Sequence, residues 1–122
     1  GVTSPVRVLS IDPALRKTGY AVIESSQEEG RKPSYRAVTY GVINNPTKLR
    51  QSGCLVSIRE QLSDVIKEHH PEVCAVEVSI YVQSFKTAIT MGAARVAAII
   101  ASAEHGLEVI EYAPKRVKQA IV

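Results

Sequence analysis

The stretch Val8-Leu-Ser-Ile-Asp-Pro-Ala-Leu-Arg-Lys-Thr-Gly-Tyr-Ala-Val-Ile23 reads as two apolar runs joined by a polar turn, and one carboxylate, Asp12, closes the first run. Val6 to Asp12 is short, apolar and β-branched, and Thr18 to Glu24 repeats that character. The five residues Pro13 to Lys17 suit a hairpin connection, and Pro13 removes a backbone donor where pairing should stop. Tyr35 to Ile43 is a third run of the same kind, after a loop rich in Glu, Gly, Lys and Pro. Together they predict three strands in an antiparallel meander.

Downstream the period changes. Asn45-Pro46 reads as an N-cap followed by proline at the first helical position, and Leu55, Ile58, Leu62, Val65 and Ile66 form one apolar stripe. Gly53 weakens that helix, and Pro71 ends it after His69. Val73 to Val78 is a short apolar run with the bounds of a buried strand, and it carries a second carboxylate, Glu77, near its end. Ser84 to His105 is helical and apolar on two faces, one made by Phe85, Ile89, Ala93, Val96, Ile100 and Ala103 and the other by Ala88, Met91, Gly92, Arg95 and Ile99. Such a helix must bury both, which predicts one face against a sheet and the other against a second subunit. Gly106 stops the helix, Leu107 to Tyr112 is a fifth strand, and Pro114 opens a last helix. The order βββ-α-β-α-β-α predicts an α/β fold in which the meander is followed by alternating helices and strands in one mixed five-stranded sheet.

Composition bounds what these elements can do. With 122 residues, 45% of them hydrophobic and 22% charged, the chain is expected to form one domain with its own core. Fifteen Lys and Arg against twelve Asp and Glu leave a net charge of +3, which suits a polyanionic partner without demonstrating one. The longest apolar run, Val96 to Ala101, is far shorter than the roughly 18 residues of a membrane span, so no membrane partner is expected. The start resembles no secretion signal, and a cytoplasmic location is the expectation. Cys54 and Cys74 form no CxxC motif and read as buried thiols, while His69, His70 and His105 fall near helix ends, where a cation offsets exposed carbonyls.

Asp12 and Glu77 share a context, each closing an apolar strand before a loop. On adjacent strands both carboxylates would meet at the sheet edge where open α/β sheets gather ligands, and a divalent cation would hold both ionised. Alternatively each acid caps the following turn through backbone donors. Pattern alone leaves both readings open.

The ordered set Asp12-Pro13, Thr18-Gly-Tyr-Ala-Val-Ile23, Gly41-Val-Ile43, Ala75-Val-Glu77, Met91-Gly-Ala-Ala-Arg95 and Glu111-Tyr-Ala-Pro-Lys-Arg-Val-Lys118 closely resembles the RuvC family of Holliday junction endonucleases, over essentially the whole chain. The resemblance implies a ribonuclease-H-like fold, a homodimer through the 84–105 helix, and magnesium-dependent nicking of two opposed strands at a four-way DNA junction, with manganese as a substitute ion. It places Asp12 and Glu77 as catalytic acids and metal ligands, and Lys118 beside the scissile phosphate as a point cation. Tyr81, Arg95, Lys115, Arg116 and Lys118 are the DNA-binding candidates, and a branch-migration helicase complex is the implied partner.

Departures from the family pattern carry information too. Ala14 stands where the family commonly has glycine, as does Val96 in the dimer helix, and Ile80 replaces a phenylalanine, with Tyr81 next to it able to stack on a base. The family completes its metal site with a further acidic pair on a C-terminal helix, so residues 1–122 read as a C-terminally truncated nuclease domain. A junction-binding module without catalysis is one alternative, and an actin- or sugar-kinase-like phosphate-handling domain is another. The plainest is an α/β domain whose acids only cap turns.

Overall fold

Strand alternation decides which residues enter the core. In the computed structural model, which describes residues 5–78 and 84–113, β1 (Val6–Asp12) buries Leu9 and Ile11 completely and leaves Val8 and Ser10 half-exposed. β2 (Lys17–Ser26) pairs antiparallel with it, setting Val22 opposite Leu9 and Gly19 opposite Asp12. β3 (Ser34–Asn44) adds a second antiparallel partner to β2, with a bulge between Val22 and Ile23. On the other side of β1 lies β4 (Val73–Glu77), parallel, with Val76 beside Ile11, and β5 (Glu108–Tyr112) runs parallel to β4. The sheet order is β3-β2-β1-β4-β5, the mixed five-stranded sheet expected, and the final helix from Pro114 lies outside the described residues.

Both helices cover one face. α1 (Gln51–His69) turns Cys54, Ile58, Leu62 and Ile66 inward at four-residue spacing, while Leu55 and Val65 flank that stripe. It begins at Gln51 and not after Asn45, because the Asn45 side chain is committed elsewhere: Nδ2 donates to the carbonyls of Leu15 at 2.9 Å and Cys54 at 3.4 Å. Residues 46–49 form a turn closed from Leu49 N–H to the Pro46 carbonyl. At its other end, α1 stops on His70, whose φ of 52° is left-handed and suits glycine better than a Cβ-bearing residue. His70→Gly should therefore raise stability by about 1 kcal/mol, read as a higher urea midpoint at unchanged slope.

α2 (Phe85–Glu104) departs from the sequence expectation. Its buried face is neither of the two stripes read above but the small residues Ala94, Ala97, Ala98, Ala101 and Ser102. Alanine packs this face because a short side chain lets α2 lie close to α1 and the sheet. The stripe of large residues is left exposed, Phe85 at 90% and Ile89 at 65%. Where the two helices cross, Arg59 grips Glu104 with two hydrogen bonds of 2.6 and 2.7 Å. By length and composition this 20-residue helix would reach across a bilayer. Here its alanine face is packed in the domain core.

The second sheet face carries Tyr40, Val42, Ile110 and Tyr112, all exposed, and no described helix covers it.

Candidate functional site

Ile11 and Val76 are neighbours in parallel register and both point into the core. The next residue on each strand, Asp12 and Glu77, therefore turns to the opposite side, and strands roughly 4.8 Å apart bring the two carboxylates together at the C-terminal edge of the sheet. Asp12 is exposed and Glu77 half-buried. Burial pushes the Glu77 carboxyl above its ordinary value of 4.5, and the Asp12 charge and a hydrogen bond with Asp12 push it further the same way.

A carboxyl with a raised folded-state pKa holds its proton longer in the fold than in the unfolded chain, so its contribution is complete below 4.5 and is lost as pH rises through the raised value. The metal-free domain should accordingly lose stability across that window and then level off. Glu77→Gln should flatten this segment and leave the metal-free domain more stable at pH 7, as urea melts in chelator at a series of pH values will show.

Several neighbours shape the space around the acids. Glu77 lines a cavity of about 190 Å³ with Pro13, Ala88, Met91, Gly92 and Arg95, so α2 supplies most of its far wall. Arg95 is held by an ion pair with Glu111 of β5. Gly19 stands directly across from Asp12, and a methyl there would lie 3.8 Å from the Asp12 Cβ, an ordinary van der Waals distance. Thr18, fully buried, closes the turn after Asp12 by donating to the Ala14 carbonyl at 2.5 Å and accepting from the Ala14 N–H at 3.3 Å. Both residues belong to the Thr-Gly-Tyr motif, but the sequence alone assigned neither a role. Ala14 is unstrained, because His70 is the one non-glycine with positive φ among the described residues.

The family model for crossover junction endodeoxyribonuclease RuvC matches residues 8–122. The chain is 49% identical over 117 residues to the crossover junction endodeoxyribonuclease RuvC of Akkermansia muciniphila, an alignment spanning 96% of this chain and 67% of that protein. This chain belongs to the RuvC family. Its fold is similar to that of Thermus thermophilus RuvC in complex with Holliday junction substrate, at TM-score 0.80 and 26% identity, covering 94% of this chain and 67% of that one. It also shares its fold with the yeast mitochondrial Holliday junction resolvase Ydc2, at TM-score 0.62 and 17% identity, over 96% of this chain and 55% of that one. The chain thus spans about two thirds of the length of the two RuvC proteins.

Within the RuvC frame, the structure brings Asp12, Glu77 and Arg95 to one edge of the sheet. Val96, a second departure from the family pattern, is 47% exposed on the outer side of α2. Tyr81, Lys115, Arg116 and Lys118, with Ile80, lie outside the described residues. Among the described residues no three His, Cys, Asp or Glu side chains cluster as a metal centre, and Asp12 and Glu77 are the acids that meet at this edge. Cys54 and Cys74 are buried free thiols, and the three histidines sit at the helix ends, as expected.

Proposed function

We propose that this domain is the nuclease unit of a structure-selective endonuclease that resolves four-way DNA junctions by metal-dependent phosphodiester hydrolysis. The observation that carries the reading is the convergence of Asp12 and Glu77 on adjacent strand ends beside an open cavity, in a chain of the RuvC family. The Asp12 charge beside Glu77 helps push the Glu77 carboxyl up, and a pair so placed fits a hard divalent cation, which prefers oxygen ligands. Magnesium is the ion proposed, with manganese as a substitute. Bound there, such an ion supplies a water of lowered pKa and neutralises charge on the phosphate.

The chain's own residues do the rest. Asp12 and Glu77 would hold such an ion at the edge of the sheet. Gly19 faces Asp12 across the strand pair, and Arg95, fixed by Glu111, presents a cation to the cavity that Glu77 lines. Family motif positions support Lys118 as the cation at the scissile phosphate, Lys115 and Arg116 as phosphate contacts, and Tyr81 as a base-stacking side chain. Four-way DNA is the substrate, a branch-migration helicase complex the partner and the cytoplasm the location.

Paired nicking of opposed strands calls for two sites, and the exposed stripe Phe85, Ile89, Val96 and Ile100 supports a homodimer through α2. Between α1 and α2, Leu55, Val56, Ala93, Val96 and Ile100 line an apolar groove of about 360 Å³ that continues this surface. Ile89→Glu with Val96→Glu should convert a dimer to a monomer by sedimentation analysis and replace paired nicks with single ones, at unchanged helical content. A parent protein already monomeric would overturn the dimer.

A module that binds junctions without cutting them is the competing reading. Binding of four-way DNA with no nicking in magnesium or manganese would favour it.

A further inference from the structure

Met91 separates two spaces. On one side is the cavity lined by Glu77; on the other is a wider groove of about 540 Å³ between the turn after Asp12 and the first turns of α2. Ala14, Lys17, Lys86, Thr87 and Thr90 line it with Met91, and among the described residues no carboxylate does. We propose that this groove seats the sugar-phosphate backbone of the DNA strand that runs to the acid pair, with Lys17 and Lys86 each neutralising a phosphate. The proposal rests on the junction-nuclease reading and extends it to residues that the motifs do not include.

The basic side chains differ in their partners. Arg7 and Arg36 pair with Glu24, Arg59 with Glu104, and Arg95 with Glu111. Arg16, which also borders the groove, donates from one guanidinium nitrogen to the carbonyls of Pro46 at 2.6 Å and Leu49 at 2.8 Å, so it builds the wall. Lys17 and Lys86 are exposed and have no ion-pair partner among the described residues. They come from opposite walls, Lys17 from the first position of β2 and Lys86 from the first turn of α2.

The hydroxyls fit the same ligand. Ser84 Oγ caps α2 by accepting from the Thr87 N–H and donates to Thr87 Oγ1, which leaves the Thr87 hydroxyl proton free to reach a phosphate oxygen. The path onward is short. Lys17 stands two residues before Gly19, the residue that faces Asp12, so a strand lying on Lys17 continues along β2 to the acid. A polyanion held by point charges, with no acid opposing it, matches the way proteins grip nucleic-acid backbones.

Junction titrations of the full-length protein in chelator, over a series of salt concentrations, test this. K17Q/K86Q should weaken four-way DNA binding about tenfold or more and reduce the slope of log K against log salt by about two, roughly one per lysine. K17R/K86R should restore both, and K32Q, at the opposite end of the sheet, should change neither. Unchanged affinity and slope in K17Q/K86Q would overturn the proposal. Inorganic phosphate supplies a second arm: if it raises the melting temperature of the parent but not of K17Q/K86Q while junction binding is equal in both, the groove is a free-anion site and the DNA reading fails. A parent that binds no four-way DNA overturns the function and the groove together, and that failure shows in the parent, before any variant.

Discussion

Asp12→Asn and Glu77→Gln should each lower metal-dependent junction nicking by the full-length protein roughly a thousandfold or more, since a catalytic metal supplies several kcal/mol of transition-state stabilisation. Each change keeps the shape of the side chain and removes one anionic ligand. Strand pairing should survive, because the β1–β4 register is set by the backbone and by the buried neighbours Ile11 and Val76. Junction affinity in chelator should therefore stay at the parental level, and gel assays with and without magnesium separate the two properties. Equal cleavage by parent and both variants would remove the acid pair from the mechanism and return Asp12 to the role of a turn cap.

Leu62→Ala carries the largest expected effect on folding. Leu62 is fully buried and central in α1, in the cluster that joins Leu9, Ile11 and Val76 of the sheet to Ala94, Ala98 and Ala101 of α2. Truncation removes apolar contact and opens a cavity under a helix whose neighbours are alanines, which cannot extend to fill it. The cost should be about 2 to 5 kcal/mol, a large share of the roughly 5 to 15 kcal/mol that stabilises a domain. A urea midpoint lowered at constant slope would record it, whereas Leu62→Met should cost less than about 1.5 kcal/mol. A midpoint unmoved by the alanine would place the core elsewhere.

The sequence exposed some parts of this architecture and hid others for physical reasons. Strands β1, β2 and β3 were legible because alternation and β-branching are local, and Asp12 and Glu77 because an acid closing an apolar strand is conspicuous. Asn45 was misread as a helix cap. Capping patterns are judged from the next few residues, and the partner that claims this side chain, the Leu15 carbonyl, is thirty residues earlier. The buried face of α2 was misread in the opposite sense, since large apolar residues dominate a periodicity pattern while close packing selects the small ones. Lys17 and Lys86 gave no signal, because an exposed lysine has no pattern of its own; only the groove between them shows that they face a common space.

The same Asn45 contact bears on how the chain can be cut or lengthened. With the Asn45 N–H on the Arg16 carbonyl and Arg16 on the carbonyls of Pro46 and Leu49, the connection 45–50 and the turn after Asp12 form one welded corner. That connection, which touches neither acid, serves as masonry for the site, so inserting or deleting residues there displaces the turn that holds the first carboxylate. The loop 27–33 lies at the far end of the sheet from that corner. New chain termini from circular permutation, or a grafted peptide, belong there.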